Sequence, residues 1–574
     1  MPIPAVLCLF ACCAPLAAQQ GQAEFRPDPA KVAAAIRAWI EAFENGRLGA
    51  KGTLRSGAEL QPKYASLARQ CGLLGDDDIG RLTHLDVLQK LMLFAEREPG
   101  ADAADALLGV AAAGLDGAFL DGQALELREL GHWALMRMED QDAWFCVLRA
   151  AAGERVPLLD DLRGVARADA DREVVVGPAR RVAALRLIGR RNLPVFRATL
   201  EQALVDADPR VRLAAAEAIT PPWRVETMRR VRTALLREQH PVVSQALVRL
   251  LLLMLKAMPA GLDAEDVDDF VTSALRQFGR CGWRTDMDLL DLVAAFPRKN
   301  AIPLLIQALD LEVRSPDALV AAINKRASPR LRERAGGLLR AMTGALLPAD
   351  DPEAWRRFWQ QERERIVVPA KLPGSDPQGT RATFFGVPVT GGAIAFLIDT
   401  RGSMDRPSNG PTTGARGRDA ETRLEAAKAQ LVLAAQAMPD ESTYVLMTFA
   451  ERARTWTPTP IRPGSSSARS LTELLSRLRP HGGTNLHDGL VTALASREQT
   501  YGANTAVTID ELFVLSDGEP TSGEVRDEDG LLAIVREANR YAKVRIHTVF
   551  TGTGAMPALL RRLAEENGGV AVQR

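Results

Sequence analysis

Apolar residues recur at helical spacing through the first two thirds of the chain. In "PAKVAAAIRAWIEAFENGR", Val32, Ile36, Trp39, Ile40 and Phe43 form one stripe, which stops at Asn45-Gly46. Spacing of three and four residues places such side chains on one face of a helix. The same pattern predicts helices from about residue 27 to 365, and strand-like alternation is scarce there. "RLLLLMLKAM" (249–258) is continuously apolar but about half the length a membrane-spanning helix needs, so it reads as a core helix. In "DPEAWRRFWQQERERI", Trp355, Phe358 and Trp359 share a face with charges opposite, a packing stripe for the last helix of the series.

The helical part repeats itself. "PARRVAALRLI" from Pro178, "PRVRLAAAEAI" from Pro209 and "PVVSQALVRLL" from Pro241 begin 31 and 32 residues apart, and "PRLRERAGGLLRAM" from Pro329 returns the plan. Each starts with proline, continues with polar or basic residues and ends in small and apolar ones. The pieces "FRATLEQALVDAD" and "AIPLLIQALDLE" also resemble one another. Two helices per period of this size are the signature of a solenoid, in which each unit buries one face against the next. "ALVDADPRVRLAAAEAI" resembles a HEAT repeat, closely over about 178–255 and loosely elsewhere. The resemblance implies a stack with a concave partner-binding surface.

"VVPAKLPGSDPQGT", within a linker drawn at 366–381, is rich in Pro and Gly and has no period. From 382 to 574 the pattern switches to short apolar runs alternating with helical ones. "GAIAFLIDT", "STYVLMTFA", "IDELFVLSD" and "VRIHTVFTG" read as strands, "ARTWTPTPI" as an edge strand and "GGVAV" as a short last one. Between them, "ETRLEAAKAQLVLAAQAM", "SLTELLSRL", "NLHDGLVTALAS", "GLLAIVREANRYA" and "ALLRRLAEEN" read as helices. Strands alternating with helices predict a doubly wound, mostly parallel α/β sheet covered on both faces. The chain is therefore expected to be multidomain, a helical solenoid at 27–365 followed by this sheet at 382–574.

Ligands of such sheets bind at the carboxyl ends of the strands. Asp399 and Ser403 follow the first strand, Thr484 lies in "HGGTNLHDG", and Asp517 ends "LFVLSD". Two acids and two hydroxyls make an oxygen-only site suited to Mg²⁺ or Mn²⁺. Here the region resembles a von Willebrand factor A domain. That family carries D-x-S-x-S after its first strand, a threonine in a glycine-containing middle loop and an aspartate after a later strand. The resemblance implies a divalent cation held by Asp399, Ser403, Thr484 and Asp517, with a partner's acidic side chain completing its coordination. The sequence departs at Arg401, which stands where the signature has its first serine and offers donors only. Two outcomes follow. Arg401 points away and water fills the ligand position, or it folds in, pairs with Asp399 and Asp517 as counter-ion and greets a partner's acid itself.

Composition narrows the classes. Lys+Arg and Asp+Glu are both 72, so nucleic acid is not an expected partner. The apolar stretch Ala5–Ala18 fits the core of a secretory signal, with 1–18 removed and the protein exported, although no Lys or Arg precedes it. No transmembrane helix is expected. Removal would take Cys8, Cys12 and Cys13; Cys71, Cys146 and Cys281 are spaced for neither zinc nor a disulfide framework and read as buried apolar residues. P-loop, HExxH and GxSxG patterns are absent, and the Asp-x-Asp of a haloacid-dehalogenase site is broken by Arg401. His481 and His487 flank Thr484 without a catalytic arrangement in the sequence. The expectation is a non-enzymatic, adhesion-type protein that binds protein partners at the rim of the A-type domain. The alternative makes that domain a metal-free structural cap, with binding on the solenoid.

Overall fold

The computed structural model describes residues 27–55, 63–117, 120–153, 176–310, 328–372, 382–408, 421–440, 442–503 and 507–574. The expected signal at 1–18, with its three cysteines, and residues 373–381 of the linker lie outside the described residues. The chain divides into two compact units, one reaching Leu193 (apart from Gly117–Leu120) and one running from Pro194 to Arg574.

The first unit is helical: α1 (Pro29–Glu44), α2 (Lys63–Gln70), α3 (His84–Arg97), α4 (Ala101–Ala111), α5 (Gly122–Arg137), α6 (Gln141–Ala152) and α7 (Pro178–Arg191). α1 buries Val32, Ile36, Trp39 and Ile40 and is capped by Asn45, as its stripe predicts. α4 packs on α1, α5 and α6, and α7 closes on α6.

The second unit opens with α8 (Arg197–Ala203), α9 (Pro209–Ala218), α10 (Val225–Arg237), α11 (Pro241–Ala257), α12 (Ala264–Leu275), α13 (Trp283–Ala295), α14 (Ile302–Leu309), α15 (Pro329–Thr343) and α16 (Pro352–Glu362). The four repeat prolines, 178, 209, 241 and 329, each stand in the first turn of a helix. There a missing N–H costs nothing, because the first amides of a helix have no internal acceptor. α9, α11, α13 and α15 pack side by side in one layer; α8, α10 and α12 form the other. This two-layer alternation is how amphipathic repeat helices bury a continuous core. The apolar run 249–258 lies in α11, with Leu250, Leu251, Met254 and Leu255 buried. Trp355 of α16 is fully buried and donates Nε1–H to Pro348 O (2.8 Å), packing rather than binding. Cys71 and Cys281 are buried, Cys146 is half-buried, and all three are free thiols. Among the described residues no helix is long and apolar enough to cross a membrane.

The sheet follows: β1 (Thr383–Phe384), β2 (Val387–Pro388), β3 (Ala393–Asp399), α17 (Arg423–Ala437), β4 (Thr443–Phe449), β5 (Ala453–Thr455), α18 (Ser465–Ser476), α19 (Leu486–Ala493), β6 (Glu511–Ser516), α20 (Glu528–Asn539), β7 (Arg545–Phe550), α21 (Ala558–Glu566) and β8 (Ala571–Gln573). Its strand order is β5-β4-β3-β6-β7-β8, parallel except for the edge strand β5. β3, β4 and β6 are buried almost throughout, which explains their uninterrupted apolar runs. The β1–β2 hairpin was not expected from the sequence. It turns through Phe385 and Gly386, both at positive φ (51° and 79°), and sets Phe384 against Phe396 and Phe513.

The amino-terminal edge of the sheet sits on the α9/α11/α13/α15 layer. Ser328 Oγ donates to Asp510 Oδ2 (2.7 Å), and Arg330 Nη1 donates to Asp510 O (2.5 Å) and Lys543 O (2.6 Å). Arg284 donates to Ala542 O (2.7 Å) and Val507 O (2.9 Å). Glu217 accepts from the hydroxyls of Tyr501 (2.8 Å) and Tyr541 (2.9 Å). The helices thus grip the base of the sheet through backbone carbonyls and a few side chains, leaving the carboxyl edge at the other end.

Candidate functional site

β3 is central, and the chain winds from it to β4 on one side and later to β6 on the other. The carboxyl ends of β3 and β6 therefore form the crevice where the connections diverge. β3 delivers Asp399 one residue beyond the Ile398–Leu515 pair, beside Ser516. The surrounding loops are tied by backbone bonds: Thr400 N to Phe449 O (2.9 Å), His481 N to Thr400 O (2.7 Å), and Thr521 N to Thr484 O (2.9 Å). Thr521 Oγ1 accepts in return from Thr484 N (2.9 Å).

The fold brings the four expected residues together, and Arg401 lies among them. Its guanidinium has turned inward. Nε is 2.5 Å from Ser403 Oγ and 2.5 Å from Asp517 Oδ1, and Nη1 donates to Thr484 Oγ1 (3.0 Å). The contact with Asp517 Oδ1 has the distance of an ion pair but not the alignment of a hydrogen bond, since that oxygen has no hydrogen-bond partner. The group lies flat against Gly518, where an added Cβ would come within 2.4 Å of Nη2, so residue 518 must lack a side chain for this pose. Arg401 does not pair with the Asp399 carboxylate through its guanidinium; its backbone N donates to Asp399 Oδ1 instead (2.9 Å).

Two further residues belong to the cluster. Arg423, the first residue of α17 and 3% exposed, donates Nη1–H to Asp517 Oδ2 (2.7 Å). Asp517 is thus held between two guanidiniums. Ser516 Oγ donates to Asp399 Oδ2 (2.8 Å). Burial pushes the Asp399 carboxyl up to about 7, against the bonds from Arg401 N and Ser516, while the nearby Asp517 charge pushes the same way as burial. "TRLEAAK" contains Arg423, but a basic residue in a first helical turn has many uses, and only the fold aims it at Asp517. His487 is buried at the start of α19, and burial lowers its pKa; His481 is exposed and its Nδ1 lies 3.0 Å from Arg479 O.

A cation of the Mg²⁺ or Mn²⁺ type needs free oxygen ligands. Here a guanidinium nitrogen lies within 3.0 Å of the side-chain oxygens of Ser403, Thr484 and Asp517. Asp517 already faces two permanent positive charges. In this arrangement the donor set does not fit a divalent metal ion. Among the described residues no group of three or more His, Cys, Asp or Glu side chains is placed to hold one elsewhere.

The C-terminal part of the chain carries a von Willebrand factor type A domain: residues 415–573 match that family model. The inter alpha-trypsin inhibitor heavy chain 4 of Mus musculus is 24% identical over 183 residues, a stretch spanning 31% of this chain and only 17% of that protein. Among solved structures, a von Willebrand factor type A protein from Catenulispora acidiphila is 24% identical, with a TM-score of 0.24, over 32% of this chain and 38% of that one. An aerotolerance-related membrane protein from Bacteroides fragilis NCTC 9343 is 18% identical, with a TM-score of 0.23, over 32% of this chain and 90% of its own. The PilB minor pilin of Streptococcus sanguinis is 15% identical, with a TM-score of 0.23, over 36% of this chain and 62% of its own.

Proposed function

We propose that this chain is an exported, non-enzymatic interaction protein of the adhesion type, binding a protein partner at the rim of its A domain. The helices are its scaffold, read as HEAT-like repeats. One observation carries the reading: the two ends of the sheet are used differently. The base is occupied by the helical layer, whereas the rim gathers Asp399, Ser403, Thr484 and Asp517 and exposes Gly402, Arg406, Glu451, His481 and Glu519 around them. A polar cluster held inside a crevice, with charge buried at a cost, suits a surface that meets other molecules. Arg401, with 19% of its side chain exposed, presents a guanidinium edge to an acidic group of the partner.

A second reading has its own support. The grip of Ser328, Arg330 and Arg284 on the sheet suits a domain that caps the helical stack, with partners bound on the helices. A photo-cross-linking side chain placed at the exposed positions His481 or Glu519, and separately at Thr233 on α10, separates the two. Adducts at the rim positions that disappear in Arg401→Glu support the first. Adducts at Thr233 alone move the binding site to the helices and end the rim reading.

A further inference from the structure

We infer that Arg401 is the resident cation of the rim, a built-in counter-ion that excludes a divalent metal and leaves the site independent of one. The inference deepens the rim reading above by specifying what stands at its centre. It rests on three features of this chain. The guanidinium ties its own loop to two others at once, touching Ser403, Thr484 and Asp517, which is the bridging task a metal ion performs in an oxygen site. Arg423 supplies a second positive charge from beneath, on Asp517 Oδ2, at 3% exposure. The cluster then holds at most two negative charges against two permanent positive ones, so a divalent ion would add an uncompensated double charge to a largely buried site. The bare backbone of Gly518 accommodates the flat face of the group. A planar fork with fixed donors suits this role where a lysine would reach one oxygen at a time.

The consequence is directional. Metal affinity should be absent in the natural chain and should appear when the guanidinium is removed, because Ser403 Oγ, Thr484 Oγ1 and Asp517 Oδ1 are then released together, while Arg423 keeps Asp517 Oδ2. Arg401→Ser also places a hydroxyl where the guanidinium began. The test titrates the full chain with Mn²⁺, following the free ion by electron paramagnetic resonance, and records thermal unfolding in EDTA and in Mg²⁺. The natural chain is expected to leave free Mn²⁺ undepleted and to melt at one temperature in both media. Arg401→Ser is expected to take up one equivalent, to melt higher with metal than without, and to lose the uptake when combined with Asp517→Ala. Arg401→Lys keeps the charge and is expected to bind none.

Uptake of one Mn²⁺ by the natural chain, abolished by Asp517→Ala, overturns the inference. So does an Arg401→Ser chain that folds, by its circular dichroism, and binds no ion. Should that variant not fold, Arg401→Asn removes the charge while keeping polar bulk and is judged by the same two outcomes. Cross-linking at the rim is scored without reference to Mn²⁺, so failure of this inference and failure of the rim reading are read separately.

Discussion

Arg330→Met tests whether helices and sheet in the second unit stand or fall together. Arg330 is buried between α15 and the base of the sheet, where burial is the main cause of its lowered pKa. Its Nη1 serves two carbonyls, Asp510 O and Lys543 O. Asp510 O keeps the amide of Arg545 at 3.0 Å, so the substitution chiefly deprives Lys543 O of its donor. A hydrogen bond from a charged group contributes about 1.5–3 kcal/mol. Losing two, offset in part because folding no longer desolvates a guanidinium, nets a destabilisation of about 3 kcal/mol. For a unit of this size, with an unfolding entropy near 2 cal/mol/K per residue, that is a fall in Tm of roughly 4 °C. Urea unfolding of the full chain followed by tryptophan fluorescence measures it, and limited proteolysis reports whether the sheet detaches from the helices first. A variant within about 0.5 kcal/mol of the natural chain would refute the reasoning, because it would mean that the grip on the base contributes nothing net.

Other consequences concern the rim and the amino terminus. Asp517→Ala leaves Arg401 and the buried Arg423 without their shared carboxylate and should cost about 3–5 kcal/mol in thermal or urea unfolding; an unchanged Tm sinks the bridging role. Asp399 has a carboxyl raised by burial from 3.8 to about 7, so the folded state keeps its proton where the unfolded state has lost it. That group favours folding most strongly below pH 4, and its contribution declines as pH rises towards 7. Asp399→Asn should therefore flatten the stability–pH curve between about pH 4 and 7, as measured by urea titration at several pH values; a slope equal to that of the natural chain rejects the assignment. The signal expected at 1–18 predicts a mature chain beginning at Gln19, as read by amino-terminal sequencing; material retaining Met1 contradicts that expectation.

Much of this architecture was written in local pattern. Prolines 178, 209, 241 and 329 marked helix starts because proline fits only the first turn, and the apolar runs of β3, β4 and β6 declared strands buried on both faces. Asp399, Ser403, Thr484 and Asp517 could be gathered in advance because each ends or follows such an element. The pose of Arg401 could not, since both of its rotations satisfy the charges and the choice depends on the space at Gly518 and on Arg423 beneath Asp517. The base interface was equally hidden. Arg284, Ser328 and Arg330 read as ordinary residues at helix starts, and their acceptors lie more than 150 residues away. The β1–β2 hairpin escaped because its turn uses Phe385 at positive φ, a conformation that residue seldom adopts.

The sheet joins its two ends in a way that has a mechanical meaning. A load applied to a single rim loop enters β3 or β6 along that strand's own axis, so it shears the ladder to the neighbouring strand held at the base, loading its bonds together instead of opening them one after another. At the far end the same strands are tethered by Asp510, whose carboxylate also accepts from Gly392 N and Ala393 N at the start of β3, and by Arg330 beneath it. Tension taken up at Asp399 or Asp517 is thereby handed to the helical layer through a short, hydrogen-bonded path, so a pull on the rim reaches the base along the strands instead of peeling the sheet from its support.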